Sequence, residues 1–144
     1  MATDLEIFAY AVKLLARRDY SESALQKKLS AKFDVIPETV ILKLRSKRYL
    51  DDRRFAENHV SRYNSRGPIR LKHELLARGI SEQIADNALA AIKRPSLRAV
   101  VDAKMVDWQL DVPLRPSEAA RLFRALLRLG YEEDAIREEI ETLI

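Results

Sequence analysis

Eight breaker residues decide what this chain can fold into. They are Gly67, Gly79, Gly130, Pro37, Pro68, Pro95, Pro113 and Pro116, three glycines and five prolines in 144 residues. Glycine and proline are the strongest local interruptions of regular structure. Between them the sequence is dominated by Leu, Ala, Lys, Arg and Glu, which lose little on entering a helix. Apolar residues recur there at helical spacing: Leu5, Phe8, Val12 and Leu15; Leu25 and Leu29; Val40, Ile41 and Leu44. The pattern continues through Ile84, Ala88 and Ile92, then Val101, Met105 and Trp108, then Leu122, Phe123, Leu126 and Leu127, and closes with Ile136, Ile140 and Leu143. No stretch alternates with a period of two between turn signals, so the spacing predicts an all-α chain of about nine helices. Pro37, Pro68 and Pro95 suit first helical positions, where a missing N–H costs nothing. Gly79 and Gly130 suit positions just past a helix end, where the chain turns left-handed.

Aligning the breakers exposes a repeat. A shift of 51 residues places Gly79 on Gly130, Ile80 on Tyr131, Glu82 on Glu133, Ala85 on Ile136, Leu89 on Ile140 and Ile92 on Leu143. The start of the chain follows the same plan with a small insertion near Asp34–Val35. The expected architecture is three three-helix repeats, over residues 1–49, 50–94 and 95–144, stacked into one elongated, curved array with a concave surface.

The residues exclude more chemistry than they offer. There is no cysteine, and therefore no disulfide, thiol nucleophile or thiolate zinc site. The few, scattered glycines cannot make a phosphate loop or a dinucleotide fingerprint. His59 and His73 stand outside any metalloprotease pattern, and no serine sits in a nucleophile elbow. We expect no catalysis, no cofactor and no metal. No run of 18 apolar residues exists to cross a membrane, and the first residues, with Asp4 and Glu6, lack a basic leader. The expectation is a soluble, cytoplasmic monomer.

The stretch RYLDDRRFAENHV raises a sharper question, because Asp51 and Asp52 are adjacent carboxylates with His59 within two helical turns. Both precede the apolar stripe of Phe55, Ala56, Val60 and Tyr63. Capping a helix N-terminus explains the pair, at about 1 kcal/mol. A metal would need further ligands, and no fourth suggests itself.

The charge is uneven. Residues 1–80 carry a net +7 and residues 81–144 a net −3, within an overall +4. A basic first half points to a polyanion or an acidic protein surface. The candidate contact residues are Arg17, Arg18, Lys27, Lys28, Arg45, Lys47, Arg48, Arg53, Arg54, Arg62, Arg66, Arg70 and Lys72. Lys47 and Arg48 could equally serve a helix C-terminus, and Arg53 and Arg54 could pair with Glu57. Arg66, Arg70 and Lys72 flank Gly67-Pro68, which reads as an exposed corner. Reversing those three charges is expected to weaken partner binding and leave helix content intact.

Three stretches then carry a family likeness. AVKLLARRDYSESALQKKL (11–29) resembles the opening repeat of the RecX regulators of the RecA recombinase, and YLDDRRFAENHVSRYNSRGPIRLKHELLARGI (49–80) resembles that family's signature. RALLRLGYEEDAI (124–136) is similar to its closing repeat. Arg48 stands where the family usually has glycine before the tyrosine of the turn, Ala24-Leu25 where it often has Glu-Leu, and Lys32-Phe33 where it often has Gly-Phe. The resemblance implies tandem three-helix units and no catalytic site. It also implies binding to RecA and to its filament on single-stranded DNA. RecX proteins lie in the filament groove, suppress ATP hydrolysis and strand exchange, and show affinity for DNA. A DNA-binding helical module acting without RecA is one competing reading, and a passive helical scaffold is another.

Overall fold

The computed structural model describes residues 2–144. Among these the chain forms nine helices and no strand: α1 (Asp4–Arg17), α2 (Glu22–Ser30), α3 (Glu38–Ser46), α4 (Asp52–Arg62), α5 (Pro68–Ala77), α6 (Glu82–Ala91), α7 (Leu97–Asp107), α8 (Pro116–Leu129) and α9 (Glu133–Glu141). The helix pairs that pack most extensively all lie within α1–α3, α4–α6 or α7–α9. The apolar stripes meet there in three separate cores. Ile7, Leu25, Leu29, Ile41 and Leu44 build the first. Val60, Leu71, Leu75 and Ile80 build the second, and Val101, Leu122, Leu126 and Ile136 the third. Three small cores in series leave much surface in water. The chain exposes 9341 Å², where a compact monomer of its 16.6 kDa would expose about 7,600 Å². The array is elongated.

Side-chain caps define the helix starts. The Ser21, Ser81 and Ser96 hydroxyls and the Asp51 carboxylate each accept a hydrogen bond from the N–H three residues on, as does Thr3 at the head of α1. Each such cap contributes about 1 kcal/mol. Ser96 also displaces an expectation: because it caps α7, Pro95 falls outside the helix and Leu97 takes the first position. Pro68 and Pro116 hold that position in α5 and α8.

Four helices end alike, each with a left-handed residue and a hydrogen bond reaching back five residues. Gly79 and Gly130 do this at φ +78° and +98°. Arg48 and Gln109 do it without glycine, at φ 59° and 54°. The returning bonds are Tyr49 N–H to Leu44 O (2.9 Å), Ile80 to Leu75 (3.1 Å), Leu110 to Met105 (2.9 Å) and Tyr131 to Leu126 (3.3 Å). Arg48 therefore keeps the turn expected of a glycine, at the cost of a strained backbone.

Gly67-Pro68 corrects the sequence reading. Gly67 is buried, and a Cβ placed on it would lie 2.6 Å from the Tyr131 nitrogen and closer still to the Gly130 carbonyl. What reads as an exposed corner is the joint between the second and third units.

Candidate partner-binding surface

The two joints position most of the basic residues. At the first, Ser21 both caps α2 and donates its hydroxyl to Arg78 O at 2.6 Å. Asp52 stands in the first turn of α4, but its carboxylate reaches across to accept the Glu22 N–H at 2.8 Å. Burial raises the Asp52 pKa, with the Glu22 charge adding to the rise, while the Glu22 N–H bond opposes it. The adjacent aspartates thus divide their work: Asp51 caps its own helix, and Asp52 ties two units together. His59 turns away from both and meets the Glu74 carboxylate at 3.1 Å.

At the second joint the main chain makes the contact. Gly67 N–H donates to Leu129 O (2.6 Å) and Ile69 N–H to Gly130 O (3.1 Å). The Tyr131 hydroxyl donates to Ser65 O at 2.9 Å. Beside it, Glu74 accepts from Arg66 Nη1 (2.8 Å) and Arg70 Nε (3.3 Å) as well as from His59. Burial pushes the Glu74 carboxyl up, but hydrogen bonds from His59 and Arg66 outweigh it and hold the group below its usual range. Burial lowers His59 despite the carboxylate. A neutral imidazole donating Nε2–H to an ionised Glu74 satisfies both directions.

The candidate cations consequently separate into two sets. Arg45 is paired with Glu22, Arg53 with Glu57 (3.1 Å), and Lys72 with Glu82 (2.9 Å) and Asp86 (3.0 Å). Arg54 binds the Arg48 and Tyr49 carbonyls and lies 3.6 Å from Asp19. Arg66 and Arg70 converge on Glu74. α4 ends at Arg62, so Arg66 stands in the following turn and not one helical turn along the same helix. Reversing Arg66, Arg70 and Lys72 would therefore turn acids against Glu74, Glu82 and Asp86, and would unsettle the second unit as well as its surface. Among the described residues the ion pairs leave Arg17, Arg18, Lys27, Lys28, Lys47, Arg48 and Arg62 without a carboxylate partner. All seven are exposed.

The structure adds a residue that sequence reasoning missed. Arg78 joins Arg18 and Arg62 around a cleft of about 460 Å³ between the first two units. Asn58, His59, Phe55 and Tyr63 of α4 and its end form one wall, and Arg18 and Asp19 stand opposite. Nothing in the spacing of residues 18, 62 and 78 announces this. The ties between the first two units, Ser21 to Arg78 and Asp52 to Glu22, bring them together.

These features define a class: a tandem array of three-helix units with hydrogen-bonded joints and exposed, unpaired cations on its first two units. Residues 51–89 match the family model described as RecX, second three-helix domain. The chain is 39% identical over 98 residues to the regulatory protein RecX of Thermus thermophilus, covering 67% of this chain and 69% of that one. It is 31% identical over 144 residues to the regulatory protein RecX of Cronobacter sakazakii, covering 88% and 86%. The crystal structure of RecX from Lactobacillus salivarius superimposes with a TM-score of 0.75 over 97% of this chain and 96% of that one, at 20% identity, a likeness of fold. The chain belongs to the RecX family.

Proposed function

We propose that this chain regulates the RecA recombinase by binding RecA and its filament on single-stranded DNA, suppressing ATP hydrolysis and strand exchange without catalysis of its own. The observation that carries the reading is kinship with a regulatory protein RecX across 88% of the chain. The architecture supports it physically. Three units, taken as residues 1–49, 50–94 and 95–144, are tied at both joints into one extended body. Such a body can lie along a helical groove and touch several protomers at once. Occupying that groove would exclude the partner DNA, oppose filament extension and bias the conformational cycle that accompanies ATP hydrolysis. The regulator works as a cytoplasmic monomer and requires no cofactor.

Titrating the chain into RecA during DNA-stimulated ATP hydrolysis tests this. Inhibition at or below equimolar protein is expected, and an unchanged rate would overturn the proposal. The arginine-lined cleft favours a second component, direct contact with DNA. Such contact persists without RecA and weakens steeply with salt.

A further inference from the structure

Arg18, Arg62 and Arg78 line the cleft between the first two units against a single acid, Asp19. Arg18 and Arg62 have no ion-pair partner among the described residues, and Arg78 donates to a carbonyl, Glu74 O, at 3.0 Å. The lining acid, Asp19, is already engaged by the Tyr20 N–H at 3.1 Å and by Arg54 at 3.6 Å. Three like charges gathered in a concavity are repulsive unless an anion joins them, and guanidinium forks match phosphate oxygens two at a time.

The cleft is also held in shape. The Arg18 guanidinium rests on the Tyr20 ring, 4.5 Å from its centroid. The Ser21 hydroxyl fixes the Arg78 carbonyl at 2.6 Å, tying the two walls. Tyr63 is braced by the His59 ring, with centroids 4.9 Å apart, and by the Arg66 guanidinium at 3.9 Å. A volume of about 460 Å³ lies within the range of small-ligand sites.

We propose that this cleft binds one nucleotide unit of a single-stranded nucleic acid, its phosphate held by Arg18, Arg62 and Arg78 and its base against Phe55. The aromatic wall decides between anions. An acidic peptide would satisfy the arginines and leave Phe55 without a matching surface, whereas a base supplies a flat apolar face. Asn58 offers a donor and an acceptor to that base's edge. The strand must be single, because bases stacked in a duplex cannot enter. The inference deepens the direct-contact component of the proposed function and rests on it.

The test is fluorescence anisotropy of a labelled oligothymidylate with the full chain, without RecA, across salt concentrations. Arg18→Ala/Arg62→Ala should weaken binding about tenfold and reduce the salt slope by about 0.7, one phosphate contact on a single strand. Phe55→Leu should weaken it at least about fivefold with the slope unchanged, the mark of lost stacking. Arg124→Ala/Arg128→Ala, an equal charge change in the third unit, should leave binding near wild type. Circular dichroism confirms that each variant is folded. Equal losses in both double variants, or none in the cleft variants, would overturn the site. Binding of ATP but not of the strand, dependent on Arg18 and Arg62, would replace the strand with a free nucleotide. Binding of polyglutamate but not of the strand would replace it with an acidic protein segment, and either result overturns the proposal. A wild-type chain that binds no strand at low salt would remove direct contact altogether, while RecA regulation would still stand or fall by the ATPase titration.

Discussion

Gly67→Ala tests the joint between the second and third units. Gly67 has φ −75°, a conformation open to alanine. On backbone entropy alone the substitution should stabilise the chain by about 0.4–1 kcal/mol. The structure predicts the opposite sign. The new methyl group would meet main-chain atoms of Gly130 and Tyr131, which cannot swing aside as a side chain does. The units must part, stretching the bonds from Gly67 N–H to Leu129 O, Ile69 N–H to Gly130 O and Tyr131 hydroxyl to Ser65 O. Overpacking of this kind costs about 1–3 kcal/mol, and each weakened hydrogen bond forfeits up to about 1 kcal/mol. The two effects overlap, since parting relieves the clash. Set against the entropic gain, a net loss of about 2–3 kcal/mol is expected. Urea unfolding measures it as a lower midpoint. Hydrogen exchange locates it: amides of Gly67 and Ile69 should lose protection while α1–α3 keep theirs. A variant as stable as the parent, or more stable, would refute the close backbone approach.

Three further outcomes follow from features of the first two units. Arg48→Gly should raise stability by about 0.5–1 kcal/mol, because glycine relieves the φ of 59° and keeps the main-chain carbonyl through which Arg54 bonds Arg48; a lower melting temperature would contradict this. Asp52→Asn keeps an acceptor for the Glu22 N–H and removes a partly buried charge, so stability should stay within about 0.5 kcal/mol, whereas Asp52→Ala should cost about 1 kcal/mol. Equal losses in the two variants would reject the tie between units. Stability should also fall in two acid steps. His59, lowered by burial, contributes fully above its unfolded pKa of about 6.5 and is a growing liability as pH drops below it, because the unfolded chain takes up the proton first. Glu74, held down by His59 and Arg66, contributes above the ordinary carboxylate pKa, and that contribution is lost as pH falls through its depressed folded value. Urea midpoints measured against pH should show both steps in the parent, and the lower step should shrink in Glu74→Gln. A flat profile from about pH 7 to pH 5 would refute the assignment for His59.

Helix content was legible because each helix carries its own signals. Ser21, Asp51 and Ser81 mark starts within three residues of the groups they cap, and the Leu25/Leu29 stripe needs no distant information. The shift that maps Gly79 on Gly130 likewise compares two copies of one local turn. The left-handed end at Gln109 was hidden because glutamine does not prefer that conformation, and the one at Arg48 was marked only by the family likeness. The surface was the least legible. Arg66 and Lys72 look the same in sequence as Arg62, yet partners 8 and 10 residues away engage the first two, while none reaches the third. Arg78 enters the cleft through a hydrogen bond that spans 57 residues. Charge can be counted along a chain, but whether it is spent internally depends on which carboxylate the fold brings near.

The joint at Gly67 and Gly130 is written in main-chain atoms, and this bears on how such a protein can diversify. Its key contacts ask for absence, the lack of a Cβ, and for peptide groups that every residue supplies. Mutations elsewhere can repaint the faces of the units without altering the angle at which they meet. Superposition with a TM-score of 0.75 at 20% identity is what that insulation would produce. A lineage can thus retune what the surface grips, residue by residue, while inheriting its reach unchanged.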